Sequence, residues 1–152
     1  MGKRIAIIGG GNLGTAIAEG LLKSKFSKAS DIIVTKRNTA TLKSLEKKGI
    51  TISSDNADAV KKSEVIILAI KPFQVTEVLN DIKKELTNSK LLISVVTGVL
   101  ISEMNEVIKK SLPVFRAMPN TAIAIQESMT CICSENAAAD DVRYVNELFS
   151  KL

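Results

Sequence analysis

At 152 residues, 45% hydrophobic and 24% charged, the chain has the size and composition of one globular domain. It has no His, which removes the commonest proton-transfer group and the commonest nitrogen ligand for a metal, and aromatics at 3% exclude a surface built on base stacking. The net charge of +5 is dispersed over pairs such as Lys47-Lys48, Lys61-Lys62 and Lys83-Lys84, a pattern suited to a small anionic ligand and not to nucleic acid.

In chain order, Ile5 to Ile8 reads as a short buried strand. Gly9, Gly11 and Gly14 follow in G-x-G-x-x-G spacing around Gly10, Asn12 and Leu13. Leu13, Ile17 and Leu21 then recur at helical intervals. Strand, glycine turn and helix in that order make a dinucleotide site credible. Gly9 allows the sharp turn, Gly11 lets backbone approach a pyrophosphate, and Gly14 lets the helix pack against the strand. The first N–H groups of that helix lack intrahelical partners and sit at its positive end, where a phosphate is stabilised.

Asp31 to Thr35 reads as a second buried strand, and Thr39 to Lys48 as a helix ended by Gly49. Ile50 to Ile52 is a short strand, and Ser53 to Asn56 supplies caps for a helix through Lys62, with Asn56 either capping or binding. Val65 to Ile70 is a strand closed by Lys71-Pro72. The next helix carries Val75, Val78, Leu79, Ile82 and Leu86 on one face. Leu91 to Val96 is a fifth strand ended by Thr97-Gly98, Ser102 to Lys110 a helix, and Pro113 to Ala117 a sixth strand. Met118 to Thr121 reads as a turn and Met129 to Cys133 as a seventh strand, with Cys131 and Cys133 on one face as buried, reduced core thiols. Asp140 and Asp141 open a last helix.

Continuously apolar strands alternating with helices predict a doubly wound, mostly parallel α/β sheet with helices on both faces, in a single domain over residues 1–152. Ligands of such sheets lie beyond the carboxyl ends of the strands. Those ends are Gly9 to Gly14, Thr35 to Asn38, Lys71-Pro72, Thr97-Gly98 and Met118 to Thr121. An NAD site places an acid at the end of the second strand to hold the ribose 2′-hydroxyl. Asp31 precedes that strand, and its far end holds Thr35, Lys36, Arg37 and Asn38. Arg offers a 2′-phosphate a planar fork of donors, so the expected cofactor is NADP(H), with NAD(H) the alternative. No run is long enough to span a membrane and none reads as a secretory leader, so the expected location is cytoplasmic.

Several segments together resemble the N-terminal Rossmann domain of pyrroline-5-carboxylate reductase. They are the Ile8 to Gly14 loop, Lys36-Arg37-Asn38, Asn56, Ala69-Ile70-Lys71-Pro72, Ser94 to Val99 and, most specific, Arg116-Ala117-Met118-Pro119-Asn120-Thr121. The resemblance implies hydride transfer from NADPH or NADH to the C5=N carbon of 1-pyrroline-5-carboxylate, giving proline. It places cofactor contacts on Ile8, Gly9, Gly10, Gly11, Asn12 and Leu13, on Thr35, Arg37 and Asn38, and on Asn56. Further contacts fall on Ala69, Ile70, Lys71 and Pro72, and on Val96, Thr97 and Gly98. Met118, Pro119 and Asn120 come near the nicotinamide end. Ser128 stands where the family often has Gly, so the turn into the seventh strand is expected to differ.

The family also carries an all-helical domain that forms the dimer and most of the substrate pocket. With this chain ending at Leu152, that domain is expected to be absent. Cofactor binding with little turnover is then expected of this piece, and a homo-oligomer where the helical domain is present. No catalytic residue is assigned, because no side chain is an evident acid for the ring nitrogen. Lys71 is placed toward the cofactor or a substrate carboxylate, and Arg116 toward a carboxylate elsewhere in the fold. Two alternatives stand beside the reductase. One is a non-catalytic NADP-binding regulatory module. The other is a different Rossmann NADP oxidoreductase, such as a deazaflavin-dependent NADP reductase, against which the Arg116 to Thr121 segment argues.

Overall fold

The computed structural model describes residues 2–152. Seven strands form one sheet: β1 (Ile5–Ile8), β2 (Ile32–Thr35), β3 (Thr51–Ser53), β4 (Val65–Leu68), β5 (Leu91–Ser94), β6 (Val114–Pro119) and β7 (Thr130–Glu135). Six α-helices connect or flank them: α1 (Asn12–Lys23), α2 (Lys43–Glu46), α3 (Asn56–Lys61), α4 (Val75–Ile82), α5 (Ile101–Ile108) and α6 (Ala139–Phe149). The strand order is β3-β2-β1-β4-β5-β6-β7; every pair is parallel except β6–β7. β1 therefore lies between β2 and β4, and the winding reverses there, which opens a crevice at the carboxyl ends of those strands.

The strands are apolar throughout because both faces are covered. Ile5 and Ile7 of β1 pack with Ile32, Val34 and Ile67 under α1 and α6. Ala6 and Ile8, pointing the other way, pack with Ile66 and Leu68 under α3 and α4.

Several elements differ from expectation. The helix expected over Thr39–Lys48 is a 3₁₀ turn (Thr39–Leu42) followed by the single turn of α2, because Asn38 Oδ1 accepts from the Ala40 N–H and tightens the entry. β5 stops at Ser94, whose hydroxyl accepts from the Val96 N–H and bends the chain, although Val95 and Val96 stay buried. Met118 and Pro119 belong to β6 and not to a turn, because β7 pairs with them antiparallel.

Cys131 and Cys133 share one face of β7 as expected, but both are exposed. β7 is an edge strand, and of its residues Ile132, opposite Ala117, packs against the core. The cysteines stand opposite Met118 and Arg116 on one face of the sheet. Arg116 finds no carboxylate within 4 Å among the described residues, and its buried Nε has no partner. Among the described residues no helix is long and apolar enough to cross a membrane, and no group of three or more Cys, Asp or Glu is placed to hold a metal.

Candidate functional site

A cleft of about 1030 Å³ opens at the carboxyl ends of β1, β2, β4 and β5. Its floor is the glycine loop. Gly9 takes φ of +110°, and a side chain there would strike the Ala69 backbone at the end of β4. A Cβ on Gly14 would collide with the Gly9 carbonyl, so α1 can approach β1 only with glycine at that position. Gly11 differs from both. It is the N-cap of α1 in ordinary extended conformation, and a Cβ there would meet nothing within 4 Å. No protein packing needs glycine at position 11. The space its missing side chain leaves belongs to the cleft. No side chain caps α1 and its first turn holds no acid, so its positive end faces the cleft uncompensated by the protein. These features fit a pyrophosphate group.

The end of β2 is tied into this floor. The Thr35 carbonyl accepts from the N–H groups of Gly9 (3.1 Å) and Gly10 (2.8 Å). The Thr35 hydroxyl, buried with its residue, donates to Asn56 Oδ1 at 2.7 Å. Asn56 is thus not the cap of α3. Asp55 is, its carboxylate accepting from the Asp58 N–H at 2.9 Å. Asn56 is the first helical residue, its oxygen engaged by Thr35 while its residue lines the cleft.

Of the residues singled out from sequence, Ile8, Gly9, Gly10, Gly11, Asn12, Leu13, Thr35, Lys36, Arg37, Asn38, Asn56, Ala69, Ile70, Lys71, Pro72, Val96 and Thr97 line the one cleft. Gly14, Gly98, Met118 and Asn120 do not. Gly14 is packed against the Gly9 carbonyl. Gly98 takes φ of +77° with open space around it, one residue past the lining. Asn120 uses its side-chain Oδ1 to cap the 3₁₀ turn over Thr121–Ile125, accepting from the Ala122 N–H. Ser128 forms the local turn with its hydroxyl, which accepts from the Asn120 N–H at 3.2 Å.

The cleft also takes in residues that sequence reasoning passed over: Ser54, Gln74, Glu77, Val78, Asp81 and Val95. Gln74, Glu77, Val78 and Asp81 stand at i, i+3, i+4 and i+7 along α4 and its entry, a helical stripe that periodicity could have exposed. Glu77 Oε1 accepts from Arg37 Nη2 at 3.1 Å, so the cation assigned to a 2′-phosphate is already paired across the cleft.

A phosphate-ready helix end at the reversal point of a sheet ordered 3-2-1-4-5-6-7 defines a domain of the Rossmann class. Residues 4–98 match the family model described as NADP oxidoreductase, coenzyme F420-dependent, and the chain belongs to that family. It is 41% identical over 128 residues to pyrroline-5-carboxylate reductase 1 of Dictyostelium discoideum, covering 84% of this chain and 23% of that protein. Among solved structures it superposes on a pyrroline-5-carboxylate reductase from Coxiella burnetii with a TM-score of 0.93 and 28% identity, over 99% of this chain and 57% of that one. The Plasmodium falciparum pyrroline carboxylate reductase with NADP bound gives 0.85 and 29%, over 98% and 55%. The resemblance carried by the Arg116 to Thr121 segment is borne out by these relatives, while the family model ends at Gly98 ahead of it. The chain spans less than two thirds of each of these proteins.

Proposed function

We propose that this chain is the cofactor-binding part of an NADPH-dependent imine reductase acting on 1-pyrroline-5-carboxylate to give proline. The observation that carries the cofactor assignment is the contrast among the glycines. Gly9 and Gly14 are required by the protein's own backbone, whereas Gly11 leaves open space at an uncapped helix end. The substrate assignment is supported by the similarity to pyrroline-5-carboxylate reductases over most of this chain.

In this reading the α1 end and the Gly9 to Leu13 backbone hold the pyrophosphate, and Lys36, Arg37 and Asn38 hold the 2′-phosphate. Asn56, Ala69 to Pro72, and Val96 to Gly98 flank the adenosine and the nicotinamide ribose, with Met118 and Asn120 toward the nicotinamide end. The reduced nicotinamide supplies a hydride when bound. The chain's own residues bind, orient and exclude water. Lys71 is exposed at the end of β4, where it can face an anionic group. The remaining substrate contacts and the dimer belong to an all-helical domain of the kind the resemblance implies. In the same proposal the protein works in the cytoplasm.

The test is a fluorescence titration of this chain with NADPH and with NADH, followed by an assay of NADPH oxidation with pyrroline-5-carboxylate. Tighter binding of NADPH, with turnover restored when the chain is continued by the reductase's helical domain, is the expected result. Tighter binding of NADH overturns the NADP assignment. Failure of the extended protein to oxidise NADPH with that substrate, despite tight NADPH binding, overturns the reductase and leaves the binding module.

A further inference from the structure

We propose that Glu77 is a built-in competitor for the cofactor's 2′-phosphate and so sets the preference between NADP(H) and NAD(H). The inference rests on the proposal that Arg37 reads that phosphate. Arg37 follows β2 on one side of the cleft, and Glu77 projects from the first turn of the facing helix α4. Their side chains meet at 3.1 Å, and both are largely exposed, at 79% and 70%. One turn further along α4, Asp81 lines the same wall. The cleft thus sets three cations, Lys36, Arg37 and Lys71, against two carboxylates, with Arg37 and Glu77 already paired, so its charge is nearly balanced before any ligand enters.

This balance acts unequally on the two dinucleotides. A 2′-phosphate brings about 1.5 to 2 negative charges. Glu77 takes only the Nη2 donor of Arg37, so an arriving phosphate shares the guanidinium with that carboxylate or displaces it, and in either case lies near it. A ribose 2′-hydroxyl is neutral and leaves the Arg37–Glu77 pair standing. The energy at stake is that of an exposed pair, so the effect is modest and salt-sensitive. An acid at the end of β2 would repel the phosphate outright; here an acid on α4 taxes it.

The experiment compares Glu77→Gln, Arg37→Gln and the double variant with the unchanged chain. Each is titrated at low ionic strength with NADPH, NADH and the fragment pair adenosine 2′,5′-bisphosphate and 5′-AMP. Glu77→Gln is expected to bind NADPH and the bisphosphate about two- to fivefold more tightly, the range an exposed ion pair allows. NADH and 5′-AMP should stay unchanged, and the gain should vanish in the Arg37→Gln background and fade as salt is raised. If NADPH outbinds NADH, that preference is lost in Arg37→Gln, and Glu77→Gln moves both dinucleotides equally or weakens NADPH, the competitor role is overturned while the phosphate reading stands. If Arg37→Gln leaves the NADPH-to-NADH ratio unchanged, both fall together.

Discussion

The carbonyl oxygen of Gly9 occupies the place where a Cβ on Gly14 would stand, so the first turn of α1 is pressed directly onto the turn that leaves β1. Two of the three motif glycines are thereby structural, which separates stability from binding by mutation. Gly14→Ala should cost about 1–3 kcal/mol, the range for forcing a methyl into a packed site, because the obstructing atom is backbone and cannot turn aside. Gly11→Ala should cost less than about 1 kcal/mol, since its methyl enters open space at an ordinary N-cap conformation. The same methyl should reduce NADPH affinity on the order of tenfold or more, because it stands where the pyrophosphate must approach. Urea unfolding and NADPH titration of both variants check this. A stable Gly14→Ala, or a Gly11→Ala with native affinity, would reverse the assignments.

Thr35 is buried within an apolar strand, and its one hydroxyl is spent on Asn56. Thr35→Val keeps the shape and the backbone bonds to Gly9 and Gly10 while removing that donor. The expected loss is about 1 kcal/mol of stability, together with a roughly fivefold weaker hold on NADPH as the Asn56 amide loses its fixed orientation. Asn56→Ala should weaken NADPH by a similar factor. If Thr35→Val leaves NADPH affinity intact while Asn56→Ala lowers it, Thr35 is not what positions the amide.

Much of this site was legible because strand ends are where a doubly wound sheet puts its ligand, and continuous apolar runs mark those ends. Twelve of the residues chosen that way line one cleft, and the family resemblance added Ile8, Asn56, Ala69, Ile70 and Val96 to the same lining. The remainder was hidden for physical reasons. Glu77 and Asp81 are charged residues on an exposed helix face, and composition alone reads such residues as solvated. Only the folded chain shows that Glu77 meets Arg37 and that Asp81 lines the same cleft. Asn56 was ambiguous because Asp55 and Asn56 are both good caps, and one-residue boundaries are set by the tertiary bond from Thr35. The cysteines misled because an alternating Cys-Ile-Cys run reads equally well as a core strand or as an edge strand with one covered face.

That edge position makes a prediction of its own. Cys131 and Cys133 are exposed on one face of β7. Both thiols should react with a small disulfide reagent in the native protein, with a stoichiometry of two, as fast as in denaturant to within about an order of magnitude. Reaction only after unfolding would restore the buried-core expectation. Because Ile132 between them carries the packing, Ile132→Ala should destabilise the protein, whereas Cys131→Ser and Cys133→Ser should each stay within about 0.5 kcal/mol of the parent.

Tyr144 gives the chain an optical titration reporter, since it is the single tyrosine and there is no Trp. Its ring lies on α6 beside Phe26, with centroids 5.6 Å apart, and under the Lys3 ammonium at 4.6 Å. Burial first, and then the negative charges of Glu64 and Glu147, push its phenol from 10.0 up to about 12. The folded state therefore holds this proton more tightly than the unfolded chain. The associated stability is fully present below pH 10, declines as the unfolded phenol ionises, and is lost as the pH rises through about 12. Tyrosinate absorption should accordingly rise near pH 12 in the native protein and near pH 10 in denaturant. Tyr144→Phe, which keeps the ring and removes the proton, should lose less stability than the parent between pH 10 and 12. A native midpoint at 10, or equal alkaline losses in the two proteins, would show that the phenol is not held neutral by its place on α6.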